Sequence, residues 1–340
     1  DAEAELSPPP EPPEISSNWM VGSYSGLSRS HSKLIYVPDK NVSQTDDDQG
    51  LTEIDKEKLQ KDIKAQGFFA FPRGATPGLA IHEIFENIDF QDEQFWDSTI
   101  ETKLKSYRLH GGSGERGAKV FQERLSSTKE MIHAVLGTEL LPNDLIISGK
   151  PVKSFCLKEL PRQQRLDEME FYYPIKNIRK NDLAAIFHRH YPQGHVNASF
   201  AHDIQSLNYP MEQGFLNGSI DLAFEKDNKY YVLDWKSNHL GNQHEYYHKE
   251  ALRETVRDSF YFLQYHIYTL ALHLFLEQKV GADYSYEENF GGVIYAFVRG
   301  FRKGTRLGIH WDRISGGMIE DMKALLIDGK TVRQILENAR

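Results

Sequence analysis

The chain has 340 residues, 39% of them hydrophobic and 12% aromatic. That is enough for one large or two smaller domains with a sizeable core, and it excludes collagen-like, low-complexity and wholly disordered classes. A single cysteine, Cys156, excludes a disulfide framework or a cysteine-based zinc finger and suits a reducing cytoplasm. The net charge of −9 argues at first against nucleic acid, but it is concentrated: residues 1–14 hold five acids and no base, and Asp46, Asp47 and Asp48 add three. The rest is nearly neutral, so DNA stays open as a partner.

Along the chain, residues 1–17 combine Pro8, Pro9, Pro10, Pro12 and Pro13 with acids and serines, the composition of an extended inter-domain linker. Residues 19–27 form a first apolar anchor, 38–50 read as a mobile loop, and the pattern is globular from Phe68 onward. Thr76-Pro77 predicts a helix start, followed by Leu79, Ile81, Ile84, Phe85 and Ile88 at helical spacing with His82 beside the stripe. Residues 110–117 read as a glycine-rich loop and 122–136 as a helix. A strand is predicted over 168–175, where Met169, Phe171 and Tyr173 alternate with Glu170 and Tyr172. Residues 258–279 carry a helical signal of over five turns, 292–298 a short apolar strand, and 317–326 a helix. The longest apolar stretch, 268–276, is half of what a bilayer crossing needs and is interrupted by His273, so no membrane partner is expected. No signal sequence opens the chain, and the first residue, Asp1, suggests a piece of something larger. Strands and helices mix, giving an α/β or α+β class.

The chemistry lies in a hairpin. Residues 218–225 and 230–237 alternate about the polar turn Lys226-Asp227-Asn228-Lys229. If Glu225 pairs with Tyr230, then Ile220, Leu222 and Phe224 share an apolar face with Tyr231, Leu233 and Trp235, which specifies the register. On the other face Asp221 lies opposite Asp234, with Lys236 two residues further along. Opposed like charges are destabilising. Two carboxylates so placed call for a cation, and Mg²⁺ takes one or two carboxylates plus phosphate and water. The Lys236 side chain could hold an attacking water or, as the neutral amine, deprotonate it, and as the ammonium offset phosphate charge, a constellation suited to metal-assisted hydrolysis of a phosphodiester. The plainer reading is an exposed hairpin whose outer face happens to carry Asp, Asp and Lys.

Asp221 followed by Asp234-Trp235-Lys236 resembles the D…(D/E)-x-K core of the PD-(D/E)XK nuclease superfamily, and the wider context resembles its RecB-type branch, the C-terminal nuclease domain of that helicase-nuclease subunit. The pieces that carry the resemblance run in order: Ser23-Tyr24-Ser25-Gly26-Leu27, Phe71-Pro72-Arg73-Gly74 through His82 to Phe90, Glu168-Met169-Glu170-Phe171, Gly218-Ser219-Ile220-Asp221, Leu233 to Gly241, Leu263-Gln264-Tyr265 to Leu272, and Phe290 to Tyr295. The resemblance implies a restriction-endonuclease-like α/β fold over 18–340, a central mixed sheet flanked by helices, with 18–67 as an N-terminal extension. It implies His82, Asp221 and Asp234 as metal ligands with the Trp235 carbonyl as a fourth, Lys236 as the catalytic lysine, and Glu170 as the acid on the preceding strand. Gln264 and Tyr268, spaced i,i+4 on one helix face, match a Gln-x-x-x-Tyr motif that completes the site. It implies Mg²⁺ and single-stranded DNA, with the helicase part of RecB, RecC, RecD and RecA as partners, a cytoplasmic location, and a role in recombinational double-strand break repair.

Read without that context, His82 would be a packed core histidine, and Gln264 and Tyr268 ordinary helix residues. His244-Glu245-Tyr246-Tyr247-His248 matches the zinc peptidase pattern but lacks an evident third ligand. Gly112 and Gly117-Ala118-Lys119 fall short of a phosphate-binding loop, since no Ser or Thr follows the lysine, so no ATP site is expected. Arg299, Arg302, Lys303 and Arg306 around Phe301 form a basic run, either a solvated loop or a phosphate contact; Arg162 and Arg165 are a weaker version of the same signal. A different class of function remains open beside the enzyme: a nuclease fold kept as a catalytically silent interaction module.

Overall fold

The computed structural model describes residues 19–23, 64–176, 179–207 and 213–337. The linker expected over 1–17, the loop expected over 38–50 and most of the N-terminal extension lie outside them. The strands are β1 (Trp19–Ser23), β2 (Ile146–Ile147), β3 (Lys150–Pro151), β4 (Arg165–Ile175), β5 (Gln213–Lys226), β6 (Lys229–Lys236), β7 (Phe290–Phe297) and β8 (Ile309–Asp312). The helices are α1 (Ala75–Asn87), α2 (Trp96–Ser106), α3 (Gly114–Leu136), α4 (Lys180–His190), α5 (Phe200–Ser206), α6 (Lys249–Asp258), α7 (Tyr261–Lys279), α8 (Tyr286–Asn289), α9 (Gly316–Leu326) and α10 (Val332–Glu337).

Six strands form one mixed sheet in the order β1-β5-β6-β7-β8, with β4 on the other edge of β5. The hairpin β5–β6 is antiparallel, β6–β7 parallel and β7–β8 antiparallel. A parallel neighbour needs a long crossover, here supplied by α6, α7 and α8. β7 is buried at every position, as a strand covered on both faces should be. One helical layer, α1 to α3, packs on Leu222, Phe224, Tyr231, Leu233 and Trp235. The opposite layer, built from α4 to α7 and α9, packs on Ala223, Val232, Val293, Tyr295 and Phe297. Successive strand residues thus feed opposite layers, the period-2 rule made three-dimensional.

The predicted register holds from the turn to Leu222–Leu233, but the strands part there and the expected pairing of Asp221 directly opposite Asp234 does not form. Leu222 pairs with Leu233, Phe224 with Tyr231 and Glu225 with Tyr230. The turn is tighter than expected, because Lys226 and Lys229 also pair and only Asp227 and Asn228 remain, both at positive φ. A two-residue hairpin turn of that hand suits Asp and Asn and matches the twist of the strands. One residue departs from the predicted face: Ile220 joins the opposite layer, with Met169 and Phe171. Across from Asp221, between the pairs Asp167–Leu222 and Met169–Ile220, stands Glu168 at φ 51°. Both strands change face at this one step.

Other boundaries moved for local reasons. α1 starts at Ala75 after Gly74, whose φ of 106° turns the chain, so Thr76 does not cap and Pro77 sits in the first turn. α3 starts at Gly114, inside the expected glycine loop. The long helix expected over 258–279 is α7, which starts at Tyr261 because Phe260 adopts a left-handed conformation (φ 54°) just before it, and which a separate helix, α6, precedes.

Candidate active site

The site forms where β5 and β6 part. β4 occupies one edge of β5 over 214–224, so β1, paired with 213–217, and β6, paired with 222–226, share the other edge. Residues 218–221 lie between their ends. Beyond Leu233, β6 leaves β5 but stays paired with β7 through Asp234, Trp235 and Lys236. The Trp235 N–H, freed from the β5 ladder, donates to Asp221 Oδ2 at 2.8 Å. A buried amide must find some acceptor, and here it orients the carboxylate.

Each helical layer delivers a side chain to this gap. On α1, Phe85 stacks on Trp235 with centroids 4.0 Å apart and planes 12° from parallel. That contact sets α1 against β6 and places His82, three residues earlier, with Nδ1 3.2 Å from Asp221 Oδ2. From the other layer, α7 contributes Gln264 and Tyr268. Lys236 Nζ lies 2.5 Å from Asp234 Oδ2 and donates to Gln264 Oε1 at 3.1 Å. Gln264 Oε1 also accepts from Tyr295 OH at 2.8 Å, and its Nε2 donates to Tyr268 OH at 3.0 Å. The ammonium sits 4.1 Å from the centroid of the Tyr261 ring and 5.0 Å from that of Tyr295.

Asp234 is 2% exposed and Lys236 5%. Burial and the neighbouring Asp221 raise the Asp234 carboxyl to about 7 against the opposing pull of Lys236. For Asp221, burial alone would raise the carboxyl, but His82 and Lys236 hold it below the ordinary value. Burial works against the His82 cation, yet Asp221 and Asp234 raise it overall, and Asp234 likewise keeps Lys236 protonated against its burial. Carboxylate charge is thus concentrated here and answered by protons.

This donor set fits a hard divalent ion. Two carboxylates and an imidazole converge, and Asp234 Oδ2 is sealed from solvent with no aligned hydrogen-bond donor. Oxygen-rich ligation of this kind suits Mg²⁺. The expected residues His82, Asp221, Asp234, Lys236, Gln264 and Tyr268 are therefore brought together. Glu170 is exposed and stands opposite Ser219, two residues short of the Asp221 level. The acid at that level is Glu168, which accepts from Ser219 Oγ at 2.8 Å. Its adjacency to Asp221 could have been read only from the β4–β5 register.

Arg299 departs from both readings of the basic run. It is 3% exposed and donates to the carbonyls of Ser237, Phe68, Phe71 and Pro72. It ties the segment before α1 to the residue after Lys236, so it bears on where His82 and Lys236 sit. Arg302 pairs with Glu245 on the surface. The zinc-peptidase pattern fails on geometry. His244 to Tyr247 form a short 3₁₀ turn, His244 Nδ1 faces the Gly300 carbonyl, and the His248 side chain caps α6. Among the described residues no helix is long and apolar enough to cross a membrane.

An open mixed sheet between helical layers, with two acids and a lysine at the parting ends of a central hairpin, defines a restriction-endonuclease-like fold. No protein-family model matches the chain. Among curated proteins it is 33% identical over 308 residues to RecBCD enzyme subunit RecB of Escherichia coli (strain K12), covering 89% of this chain and 22% of that one. The same-named subunit of Haemophilus influenzae is 30% identical over 317 residues, 91% of this chain and 24% of its own, and that of Mycobacterium tuberculosis (strain ATCC 25618 / H37Rv) 26% over 303 residues, 84% and 26%. The chain is thus a homologue of RecB over one region, spanning about a quarter of the length of these relatives. The RecB-type resemblance carried by the motifs is borne out.

Proposed function

We propose that this chain is a Mg²⁺-dependent deoxyribonuclease domain of the RecB type, which hydrolyses phosphodiester bonds of single-stranded DNA delivered by a helicase during recombinational double-strand break repair. The observation that carries this reading is the meeting of His82, Asp221, Asp234 and Lys236 at the parting of β5 and β6. His82, Asp221, Asp234 and the Trp235 carbonyl would hold the ion. When bound, Mg²⁺ supplies Lewis-acid compensation for the charge that develops on the phosphoryl oxygens.

The remaining work belongs to side chains. An ammonium has three protons. Lys236 is ion-paired with Asp234 Oδ2 and donates one proton to Gln264 Oε1, which leaves donor capacity for the attacking water or a phosphoryl oxygen. Gln264 is itself pinned by Tyr295 and Tyr268, so the ammonium is pre-oriented, and donors fixed before the reaction are worth most where water is excluded. The Tyr261 and Tyr295 rings pack against the ammonium, 4.1 and 5.0 Å from their centroids. The relatives' name describes a subunit of a multi-subunit enzyme, which supports RecC, RecD and the helicase part of RecB as partners; RecA as a further partner and a cytoplasmic location rest on the motif resemblance alone.

Purified chain incubated with a 5′-labelled single strand and Mg²⁺ tests this. Cleavage is expected, abolished by a chelator and reduced at least ~10²-fold by Lys236→Gln, the scale of losing one transition-state donor. Absence of cleavage by the unaltered chain in either Mg²⁺ or Mn²⁺, with partner binding retained, would leave an interaction module instead.

A further inference from the structure

His273 projects from α7, nine residues beyond Gln264 and about 13.5 Å further along the helix, well away from the hairpin site. The residue is 4% exposed, and its Nε2 is sealed from solvent with no aligned hydrogen-bond partner. Glu277 Oε1, one turn on, lies 3.4 Å from that nitrogen, and Glu320 Oε1, from α9, also 3.4 Å. All three ligand atoms fall within 4.8 Å of one another. Two ligands at the tetrahedral angle around an ion ~2.1 Å from each stand about 3.4 Å apart, and they match that spacing. The other ring nitrogen, Nδ1, faces Tyr284 OH at 3.2 Å, which can fix the tautomer with the Nε2 lone pair turned to the carboxylates. Tyr286 packs edge-on against the ring and holds its plane.

We infer that His273, Glu277 and Glu320 form a second divalent-cation site, one that takes a borderline transition ion such as Zn²⁺ and clamps α7 to α9. An imidazole and two carboxylates are ligands that Zn²⁺ and Co²⁺ accept in a tetrahedron, the arrangement the 3.4 Å spacings suit. The carboxylates open to solvent while the imidazole is buried, so an ion has an entry path and a fixed anchor. Water completes the fourth position. Lys323 Nζ now neutralises Glu277 at 2.6 and 2.8 Å, and binding requires it to give up Oε1 while keeping Oε2. This inference is independent of the proposed nuclease chemistry.

The test uses the whole chain carrying Asp221→Asn and Asp234→Asn, which silences the first centre, and titrates it with Co²⁺ alone. One equivalent of Co²⁺ with the intense visible absorption of a tetrahedral ion is expected, displaced by Zn²⁺ and accompanied by a higher thermal midpoint. Glu320 is exposed, so Glu320→Gln should fold normally and weaken binding at least ~10-fold, the scale of disturbing a metal site; His273→Gln should abolish it. No tetrahedral absorption, or absorption unchanged in both variants, would overturn the site.

Discussion

Asp221 Oδ2 accepts the Trp235 amide and faces His82, so two substitutions there should separate structure from chemistry. Asp221→Asn keeps an acceptor for the amide and should stay within about 1 kcal/mol of the unaltered chain, the worth of one hydrogen bond. Asp221→Ala orphans a buried amide and should cost about 1–3 kcal/mol in urea denaturation. Both should lose cleavage; equal stabilities would show that the amide contact contributes nothing. His266 gives a pH prediction. Buried, with Nδ1–H donating to the Phe262 carbonyl and Nε2 accepting from Tyr191 OH, it is lowered to about 4 by desolvation, which outweighs the opposing pull of Phe262 and Asp312. Below its ordinary value of 6.5 the unfolded chain takes up a proton that the folded chain refuses. Stability should therefore fall as pH drops from about 6.5 to about 4, by at most about 1.4 kcal/mol per pH unit. His266→Gln should flatten that part of the curve; an unchanged slope would assign it to other groups. At this scale Asp234 and Lys236 were legible from alternation along β6, whereas Asp221, at the step where β5 changes face, was legible only from its place in the motif. Arg299 was not, since a buried guanidinium that binds four carbonyls looks in sequence like any other basic residue.

Phe85 links an element to the site: it registers α1 on β6 through Trp235 and so aims His82. Phe85→Ala should cost about 3–5 kcal/mol, as for other buried aromatics cut to alanine, and should also weaken Mg²⁺ binding, measured by calorimetry. Phe85→Leu should recover most of the stability and much of the binding; full binding in a stable Phe85→Ala chain would separate α1 placement from ion affinity. The hairpin register was readable from its apolar face. The change of face at Glu168 and Asp221 was not, because a period-2 reading continues Ile220 along the same side. Nor was the break between α6 and α7, where Phe260 turns left-handed with neither glycine nor proline to announce it.

For the whole molecule, charge sets the terms of DNA binding. The chain carries −9, and outside residues 1–14 and 46–48 it is nearly neutral, with no large excess of positive charge to neutralise phosphates. On the proposed reading, a centre on such a surface would depend on a tether that raises local strand concentration. Single-stranded DNA should therefore bind the isolated chain no more tightly than about the micromolar range typical of non-specific contacts at physiological salt. Nanomolar binding by fluorescence anisotropy would remove the need for a tether. The layered architecture was visible in outline from the order of strands and helices, whereas the two-sided burial of β6 and β7 emerged only when the helices on both faces were in place.

The most direct measurement is anomalous diffraction from a crystal soaked in Mn²⁺. A strong peak is predicted between the carboxylates of Asp221 and Asp234, within ligand distance of His82 and with Lys236 Nζ turned toward open space beside it, whether or not the His273 cluster also takes up Mn²⁺. No peak there at saturating Mn²⁺, with Lys236 still locked on Asp234, would contradict a metal-dependent hydrolytic centre.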